Sequence, residues 1–210
     1  MVELKYGKSK IRVSIPEKAA VSILEPLRAP VLASVESALD SALSAPIGRP
    51  ALEAILEARR PRSVAIAVPD ETRPAPLSEV LPRLLSRIEA GLPGPLADHV
   101  TLFIGGGLHP PADAGAIERI LPAGISRGCR VVAHDARGAA MRDYGATSRG
   151  TPVRINAEYA KSDFKLVIGQ VDPHQFVGFT GGAKGVVIGC ASPETIEMNH
   201  SLMAQPNAHV

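Results

Sequence analysis

One short and almost wholly apolar run, SVAIAV at residues 63–68, constrains the fold of this 210-residue chain most strongly. A second run, VTLFI at residues 100–104, follows a stretch whose leucine and isoleucine residues recur at helical spacing. Such runs are typical of parallel strands that helices cover on both faces. The alternation of strand and helix therefore predicts an α/β fold with an open, mostly parallel sheet flanked by helices, Rossmann-like, in a single domain.

The remaining elements are predicted from the same periodicities. Strands are expected at residues 10–15, 130–133, 152–155 and 165–168, and helices at 30–43, around 52–56, and at 77–88, 112–121, 157–162 and 193–203. Residues 136–150 are polar and predict a loop. Because the chain shows no repeat and no low-complexity tract, one domain over residues 1–210 is expected.

Composition argues against several classes of function. Hydrophobic residues make up 45% of the chain and allow a sizeable core, whereas the net charge of +2 comes without the dense Lys/Arg run of a nucleic-acid binder. A run of about 18 apolar residues, which a membrane span requires, is absent, and so is an apolar signal core. Cys129 and Cys190 form no CxxC pattern, so a soluble, cytoplasmic protein without nucleic-acid or membrane partners is expected.

Polar, glycine-rich sequence follows the predicted strands three times, beginning with DETRP at residues 70–74. Ligands of open α/β sheets bind beyond the carboxyl ends of the strands, so these segments are expected to line one site. Arg73 offers a planar fork for phosphate or carboxylate, Thr72 offers a hydroxyl, and Asp70 can hold a ribose hydroxyl or orient the arginine. A helix N-cap with a surface salt bridge explains the same residues equally well.

Two histidines follow other strand ends, His109 in GGGLH and His174 in DPH. Histidine titrates close to neutral pH, so either residue can act as a general acid or base. The competing interpretations are a solvent-facing loop histidine for His109 and an ordinary turn around His174. His99, His134 and His209 are interpreted as structural or surface histidines.

The third segment contains a glycine-rich turn, GFTGGAKG at residues 178–185. Thr180 and the backbone amides of Gly181 and Gly182 can cradle a phosphate, with Lys184 as the counter-charge. The spacing is not that of a P-loop, so this familiar nucleotide-binding motif is not supported.

His200 lies in the last predicted helix, three residues after Glu197 and on the same face. Its imidazole can ligate a metal, although a histidine on the helix surface is the simpler interpretation.

Taken together, the three motifs resemble the nickel-pincer lactate racemase family: DETRP at 70–74, GGGLHPP at 105–111 and DPHQFVGFTGGAKGVVIGCASPETIEMNHS at 172–201. The resemblance runs from about residue 10 onward and concerns the N-terminal half of that family, whose full members carry a second domain. Pro110 stands where the family usually has arginine.

The resemblance implies a cofactor, pyridinium-3,5-bisthiocarboxylic acid mononucleotide, which holds nickel through a ring carbon and two sulfurs. By position, Lys184 matches the lysine that binds this group covalently, and His200 matches the histidine that ligates the nickel. His109 and His174 match the acid/base pair. The turn that holds the ribose and phosphate of the cofactor corresponds to Asp70, Thr72 and Arg73.

The implied reaction is racemisation or epimerisation of a lactate-like 2-hydroxy acid. A pyridinium ring can accept hydride while one histidine takes the hydroxyl proton, and the second histidine serves the opposite face. In the family, the second domain closes over the substrate and binds its carboxylate. A second domain or subunit is therefore expected to complete the site of this chain.

Two other functions are consistent with the same residues. The first is a non-catalytic module that binds a nucleotide or phosphate through Arg73 and the turn at residues 178–185. The second is a hydrolase with a zinc site formed by His109, His174 and His200, although these histidines lack the short spacing typical of zinc ligands.

Overall fold

The computed structural model describes residues 2–24, 30–73, 75–174 and 178–206. Pro74 and residues 175–177, which belong to the motifs above, lie outside the described residues, as does His209. The chain forms two compact units, Met1–Ala33 and Ser34–Val210. All the predicted site residues belong to the larger unit.

The smaller unit contains a β-hairpin. Strand β1 (Val2–Tyr6) pairs antiparallel with β2 (Ser9–Val13). Gly7, in the turn between them, has a φ of +58°, a conformation that favours glycine. Strand β2 overlaps the strand predicted at residues 10–15, whereas β1 is a strand that the sequence analysis does not predict.

The larger unit alternates helices and strands along the chain. In order they are α1 (Val35–Ser44), α2 (Leu52–Arg59), β3 (Val64–Pro69), α3 (Leu77–Glu89), α4 (Leu96–His99), β4 (Val100–Gly105), α5 (Ala114–Ile120), α6 (Ile125–Gly128), β5 (Arg130–Ala133), β6 (Met141–Ala146), β7 (Pro152–Asn156), α7 (Ala157–Lys161), β8 (Phe164–Val167), β9 (Pro173–His174), β10 (Gly178–Phe179), α8 (Lys184–Val187), α9 (Pro193–Ser201) and a 3₁₀ turn (Leu202–Ala204). Within the described ranges, none of the helices has both the length and the apolar character needed to cross a bilayer.

Four strands form the main sheet in the order β5-β4-β3-β8, and every neighbouring pair is parallel. The two central strands, β3 and β4, are almost entirely buried, as expected for apolar runs covered on both faces. The predicted α/β class, with an open parallel sheet flanked by helices, is therefore confirmed. All four strands point the same way, so their carboxyl ends meet at one edge.

The two faces of β3 differ in side-chain size. Val64, Ile66 and Val68 belong to a large apolar cluster with the buried residues of α2 and α3. Ala65 and Ala67, which alternate with them, belong to a second cluster with residues of β7, α7 and α9. Small side chains on this second face let the backbone of the site-bearing segments come close to the sheet.

One predicted helix start and one predicted loop are wrong for identifiable reasons. Helix α1 begins at Val35 rather than at residue 30, because the Ser34 side chain caps it by accepting a hydrogen bond from the Ser37 amide. Residues 141–146, predicted as loop, form β6, which pairs antiparallel with β7 outside the main sheet. Most of β6 is exposed, so it lacks the apolar alternation that would reveal a strand in the sequence.

Candidate active site

A cavity of about 410 Å³ lies at the carboxyl edge of the main sheet. Its lining comes from the ends of β3, β4 and β8, from the turn before α8, and from one face of α9. The connection after β3 leads to β4 on one side, whereas β8 lies on the other side of β3. Such a change of direction opens a crevice between neighbouring loops, which is where open α/β sheets bind ligands.

The cavity brings together nearly all the predicted site residues. Its lining includes Asp70, Thr72, Arg73, His109, His174, Thr180, Gly181, Lys184 and His200. Gly182 is the predicted residue that does not line it. Gln170 and Glu197 also contribute to the lining and were not among the predicted site residues.

The Asp70 carboxylate is a hydrogen-bonding hub between two of the loops. Its Oδ2 lies 2.6 Å from Nδ1 of His109, and its Oδ1 accepts hydrogen bonds from the Thr72 hydroxyl at 2.6 Å and the Thr72 amide at 3.2 Å. An ionised carboxylate only accepts hydrogen bonds, so Nδ1 of His109 is the donor. In the neutral imidazole the lone pair is then on Nε2, as a general base requires.

This pairing is additional to the predicted use of Asp70, which is to hold a ribose hydroxyl or to orient Arg73 and which stays a prediction. Of the competing interpretation, the N-cap is wrong, because α3 begins at Leu77, well after the turn, whereas the surface salt bridge is confirmed between Glu71 and Arg119. Asp70 and His109 are distant in sequence and meet because β3 and β4 are adjacent and parallel, with Pro69 opposite Gly105. The adjacency of these strands is the signal from which the pairing could have been inferred.

The glycine-rich turn before α8 packs against the loop that follows β8. Gly181 has a φ of +76°, and a Cβ added to it would lie 2.9 Å from the carbonyl oxygen of Gln170. Gly182 also has a left-handed φ, of +50°. Glycine is required at Gly181 for both reasons, because a side chain there would be strained and would meet neighbouring backbone.

Thr180 uses its hydroxyl within the protein. It donates to the carbonyl of Gln170 at 2.6 Å and accepts from the Asp172 amide at 2.8 Å, while its own amide donates to the Asp172 carbonyl. These bonds join the turn to the segment after β8. The predicted contact of Thr180 with a cofactor phosphate stays a prediction.

Lys184 is the first residue of α8, and its amide donates to the Gly181 carbonyl. Burial lowers the pKa of its amine below the ordinary value, and the positive charge of Arg73 lowers it further. A lysine amine with a lowered pKa carries a lone pair for a larger fraction of the time at neutral pH, which is how proteins prepare lysine to form covalent bonds.

The His174 and His200 rings lie near each other, with centroids 6.1 Å apart and planes inclined at 50°. Nδ1 of His200 lies 2.8 Å from the carbonyl oxygen of Ile196, so Nδ1 is the donor and the neutral tautomer has its lone pair on Nε2. This second hydrogen bond is typical of histidines that ligate metals. Burial lowers the pKa of His174, and the charges of Lys184, Arg73 and His200 lower it further, which favours its neutral, basic form.

The two additional lining residues contribute polar groups. Oε1 of Gln170 is buried and, among the residues that the structure describes, has no hydrogen-bond partner. A buried carbonyl without a donor is unfavourable by about 1–3 kcal/mol, so such atoms often mark a site completed by a ligand. Glu197 lies one helical turn before His200, a spacing already visible in the sequence.

No group of three or more His, Cys, Asp or Glu side chains in the described part of the chain is placed to hold a metal ion. The zinc hydrolase alternative requires such a group from His109, His174 and His200. It therefore lacks the ligand cluster on which it depends.

The comparison with known protein families agrees with the fold and the motifs. The family model described as the lactate racemase N-terminal domain matches residues 6–210. The chain belongs to this family. The family resemblance predicted from the three motifs is thereby confirmed.

Two similar proteins are lactate racemases. The chain is 29% identical over 202 residues to lactate racemase of Thermoanaerobacterium thermosaccharolyticum, covering 95% of this chain and 46% of that protein. It is 30% identical over 145 residues to lactate racemase of Lactiplantibacillus plantarum, covering 69% of this chain and 34% of that protein. The chain thus spans half or less of the length of these relatives.

Solved structures show the same relationship. The lactate racemase apoprotein from Thermoanaerobacterium thermosaccharolyticum superposes with a TM-score of 0.82 at 28% identity, over 99% of this chain and 48% of the other. A protein from Thermotoga maritima superposes with a TM-score of 0.62 at 21% identity, over 82% of this chain and 43% of the other, and shares the fold.

The lowered pKa of Lys184 leads to a prediction about its reactivity. At pH 8, a small acylating reagent should modify Lys184 faster than Lys161, which lies outside the cavity. The Arg73→Gln variant removes a positive charge, so it should raise the pKa of Lys184 and slow its modification severalfold. Peptide mass spectrometry over a series of pH values measures both effects.

The matched control is Arg127→Gln, which removes an exposed arginine of α6 outside the cavity. It should leave the modification profile of Lys184 unchanged. Equal responses to the two arginine substitutions would contradict the predicted influence of Arg73.

Proposed function

We propose that this chain is the cofactor-binding and acid/base part of a racemase or epimerase that acts on a lactate-like 2-hydroxy acid. The observation that carries the proposal is the single cavity lined by His109, His174, Lys184 and His200. Membership of the lactate racemase N-terminal domain family supports the reaction class. The cytoplasmic location predicted from the sequence is retained as part of the proposal.

The residues of the cavity fit a nickel-pincer mononucleotide. A volume of about 410 Å³ is in the usual range for small-molecule sites. Arg73 and Lys184 supply positive charge suited to a phosphate, and His200 has its lone pair on Nε2, where a metal can bind. Among the described residues, none donates a hydrogen bond to the buried Oε1 of Gln170, as expected where a polar ligand completes the site.

Lys184 would hold this cofactor through its amine and His200 would ligate the nickel. The ribose and phosphate would be held by those residues of the two turns that line the cavity: Asp70, Thr72, Arg73, Thr180 and Gly181. When bound, the cofactor would supply an electrophilic ring that takes hydride from C2 of the substrate and returns it.

His109 and His174 would accept the proton of the substrate hydroxyl and return it. Asp70 occupies Nδ1 of His109, so Nε2 of His109 would accept the proton of the substrate hydroxyl. A 2-hydroxy acid that is oxidised at C2 becomes a planar 2-keto acid, which has lost its handedness. The enantiomer formed would depend on the face of C2 to which the hydride returns, and His109 or His174 would return the proton to the oxygen.

Different features suit the two histidines to the basic role. The Asp70 carboxylate orients the His109 ring and fixes the tautomer whose lone pair is on Nε2. The pKa of His174 is lowered by burial and by neighbouring positive charge. A larger fraction of His174 is therefore neutral, and able to accept a proton, at pH values where an ordinary histidine is partly charged.

A second domain or subunit would complete this site. The chain spans 46% of one lactate racemase and 34% of another. The remaining part would close over the cavity and bind the carboxylate of the substrate.

The first test is cofactor loading of Lys184. The chain is co-expressed with the proteins that synthesise the pincer nucleotide, then analysed by intact mass and by nickel content. We expect a mass increase located on Lys184 together with bound nickel, and neither in the Lys184→Arg variant, which keeps the charge but not the reactive amine. Unmodified Lys184 without nickel would reject the proposal.

The non-catalytic phosphate-binding module remains the alternative, because Arg73 and Lys184 line the same cavity as the glycine-rich turn. In that case, replacing His109 and His174 by glutamine should leave the affinity for a nucleotide nearly intact, and no turnover should depend on them. Turnover that disappears with these substitutions would favour the enzyme.

The hydrogen bond between Asp70 and His109 can be tested by substitution of Asp70. In an enzyme that contains this chain together with its second domain, Asp70→Asn should lower kcat by at least about tenfold. The asparagine side-chain amide can donate to Nδ1 of His109, which places the ring proton on Nε2 and removes the lone pair that the substrate hydroxyl needs. Racemisation is followed by polarimetry and folding by thermal unfolding.

The matched control for Asp70→Asn is Glu71→Gln. Glu71 is the neighbouring carboxylate, but it pairs with Arg119 at the surface. Its replacement should leave kcat within about twofold of the unsubstituted enzyme, since exposed pairs contribute little. A similar loss of activity in both variants would show that Asp70 has no special role.

A further inference from the structure

The connector at residues 189–192 joins the two helices that carry Lys184 and His200. It runs from the end of α8 to the first turn of α9. The position of this connector therefore sets how the two helices, and the two side chains, stand relative to each other. The contacts that hold the connector therefore affect the geometry of the site.

His134 contacts this connector from the end of β5. Only 1% of His134 is exposed, and its Nε2 lies 3.0 Å from the carbonyl oxygen of Ala191. The carbonyl can only accept, so Nε2 carries the proton. On the other side of the ring, Nδ1 lies 3.2 Å from the side-chain amide nitrogen of Asn156, Nδ2.

The orientation of the Asn156 side chain confirms this tautomer. Its Oδ1 accepts hydrogen bonds from the amides of Glu158 and Tyr159 at the start of α7. The side-chain nitrogen Nδ2 of Asn156 must therefore face His134 and donate to Nδ1. Both ring nitrogens are satisfied by a neutral imidazole, whereas a second proton on Nδ1 would meet another donor.

Backbone hydrogen bonds hold the connector at its other residues. The Gly107 amide donates to the Gly189 carbonyl at 3.1 Å, the Asn156 amide donates to the Cys190 carbonyl at 2.8 Å, and the Ser192 amide donates to the Arg154 carbonyl at 3.0 Å. The connector is thus attached to the loop after β4, to β7, and, through His134, to the end of β5.

We propose that His134 is a positioning residue of the site: its neutral, Nε2-protonated ring holds the connector at Ala191 and so fixes Lys184 and His200 relative to each other. His134 does not line the cavity and is not a catalytic residue. Burial lowers its pKa, against the opposing effects of the Ala191 hydrogen bond and of the Asp135 charge. This agrees with a neutral ring at pH 7.

The inference rests on the proposed function only in treating Lys184 and His200 as groups that act together. Its test therefore uses the acylation profile of Lys184, which needs no cofactor. If the cofactor failed to load, the proposed function would fall, while the role of His134 would still be decided by this profile.

The experiment compares two substitutions of His134 in the otherwise unchanged chain. His134→Phe removes both hydrogen bonds, so Lys184 should lose its distinctive reactivity and its acylation at pH 8 should approach that of Lys161. His134→Gln keeps an amide donor that can reach Ala191, so it should retain most of the wild-type profile. Thermal unfolding is recorded for each variant.

The control is His99→Phe. His99 also bonds a backbone carbonyl, that of Arg62, but it lies just before β4 at the opposite edge of the sheet. This variant should leave the Lys184 profile unchanged even if its thermal stability falls. A folded His134→Phe protein with the wild-type Lys184 profile would overturn the proposal.

If His134→Phe does not fold, the tautomer of His134 is measured in the wild-type protein instead. Nitrogen-15 NMR of the imidazole distinguishes the two tautomers and the charged ring. We expect the Nε2–H tautomer for His134 at pH 7. The Nδ1–H tautomer, or an imidazolium at that pH, would overturn the proposal as well.

Discussion

The site depends on close packing of backbone against backbone where α8 meets the sheet. A Cβ added to Gly189 would overlap the carbonyl oxygen of Gly185 and lie 3.1 Å from that of Gly105. A Cβ at Gly105 would in turn lie 3.2 Å from the backbone of Gly189. Side chains at these positions would push the segment carrying Lys184 away from the loop carrying His109. Glycine is therefore what allows the two groups to line one cavity.

The same requirement explains the small residues beneath this segment. Ala65 and Ala67 of β3 face the side on which α8 and α9 pack, whereas larger residues face the other helices. Parallel strands bring the loops to one edge of the sheet. The small alanine side chains let the backbone of α8 and α9 pack close to β3 at that edge. Distant parts of the chain consequently converge on a volume of about 410 Å³.

Charge in the cavity is arranged to keep bases neutral. Arg73 and Lys184 lower the pKa of His174, and Arg73 also lowers that of Lys184, in addition to the effect of burial. Asp70 carries a negative charge in the same cavity, but its carboxylate accepts hydrogen bonds from His109 and Thr72. The cavity is thus suited to an anionic ligand while offering lone pairs for proton transfer and covalent attachment.

The sequence predicted the parts of this architecture that depend on local pattern. The buried strands β3 and β4 were recognisable because they are apolar throughout, and α3 because of its periodic leucines. Strand β6 was missed because most of it is exposed.

The site residues were accessible through motifs, but their interactions were not. The bond between Asp70 and His109 depends on which strands are adjacent. The burial of Gln170 Oε1, without a partner in the described part of the chain, depends on packing. His134 was interpreted as a structural histidine, and its contact with Ala191 required the position of a distant segment. Pairwise contacts of this kind have no local signature in the chain.

We propose that Lys184 and His200 bind one ligand in one cavity. Diffraction from crystals of the cofactor-loaded protein, recorded at the nickel absorption edge, tests this most directly. We expect a nickel peak within bonding distance of His200 Nε2, beside density that is continuous with the Lys184 amine. A peak elsewhere, or organic density that reaches Lys184 while His200 ligates nothing, would contradict it.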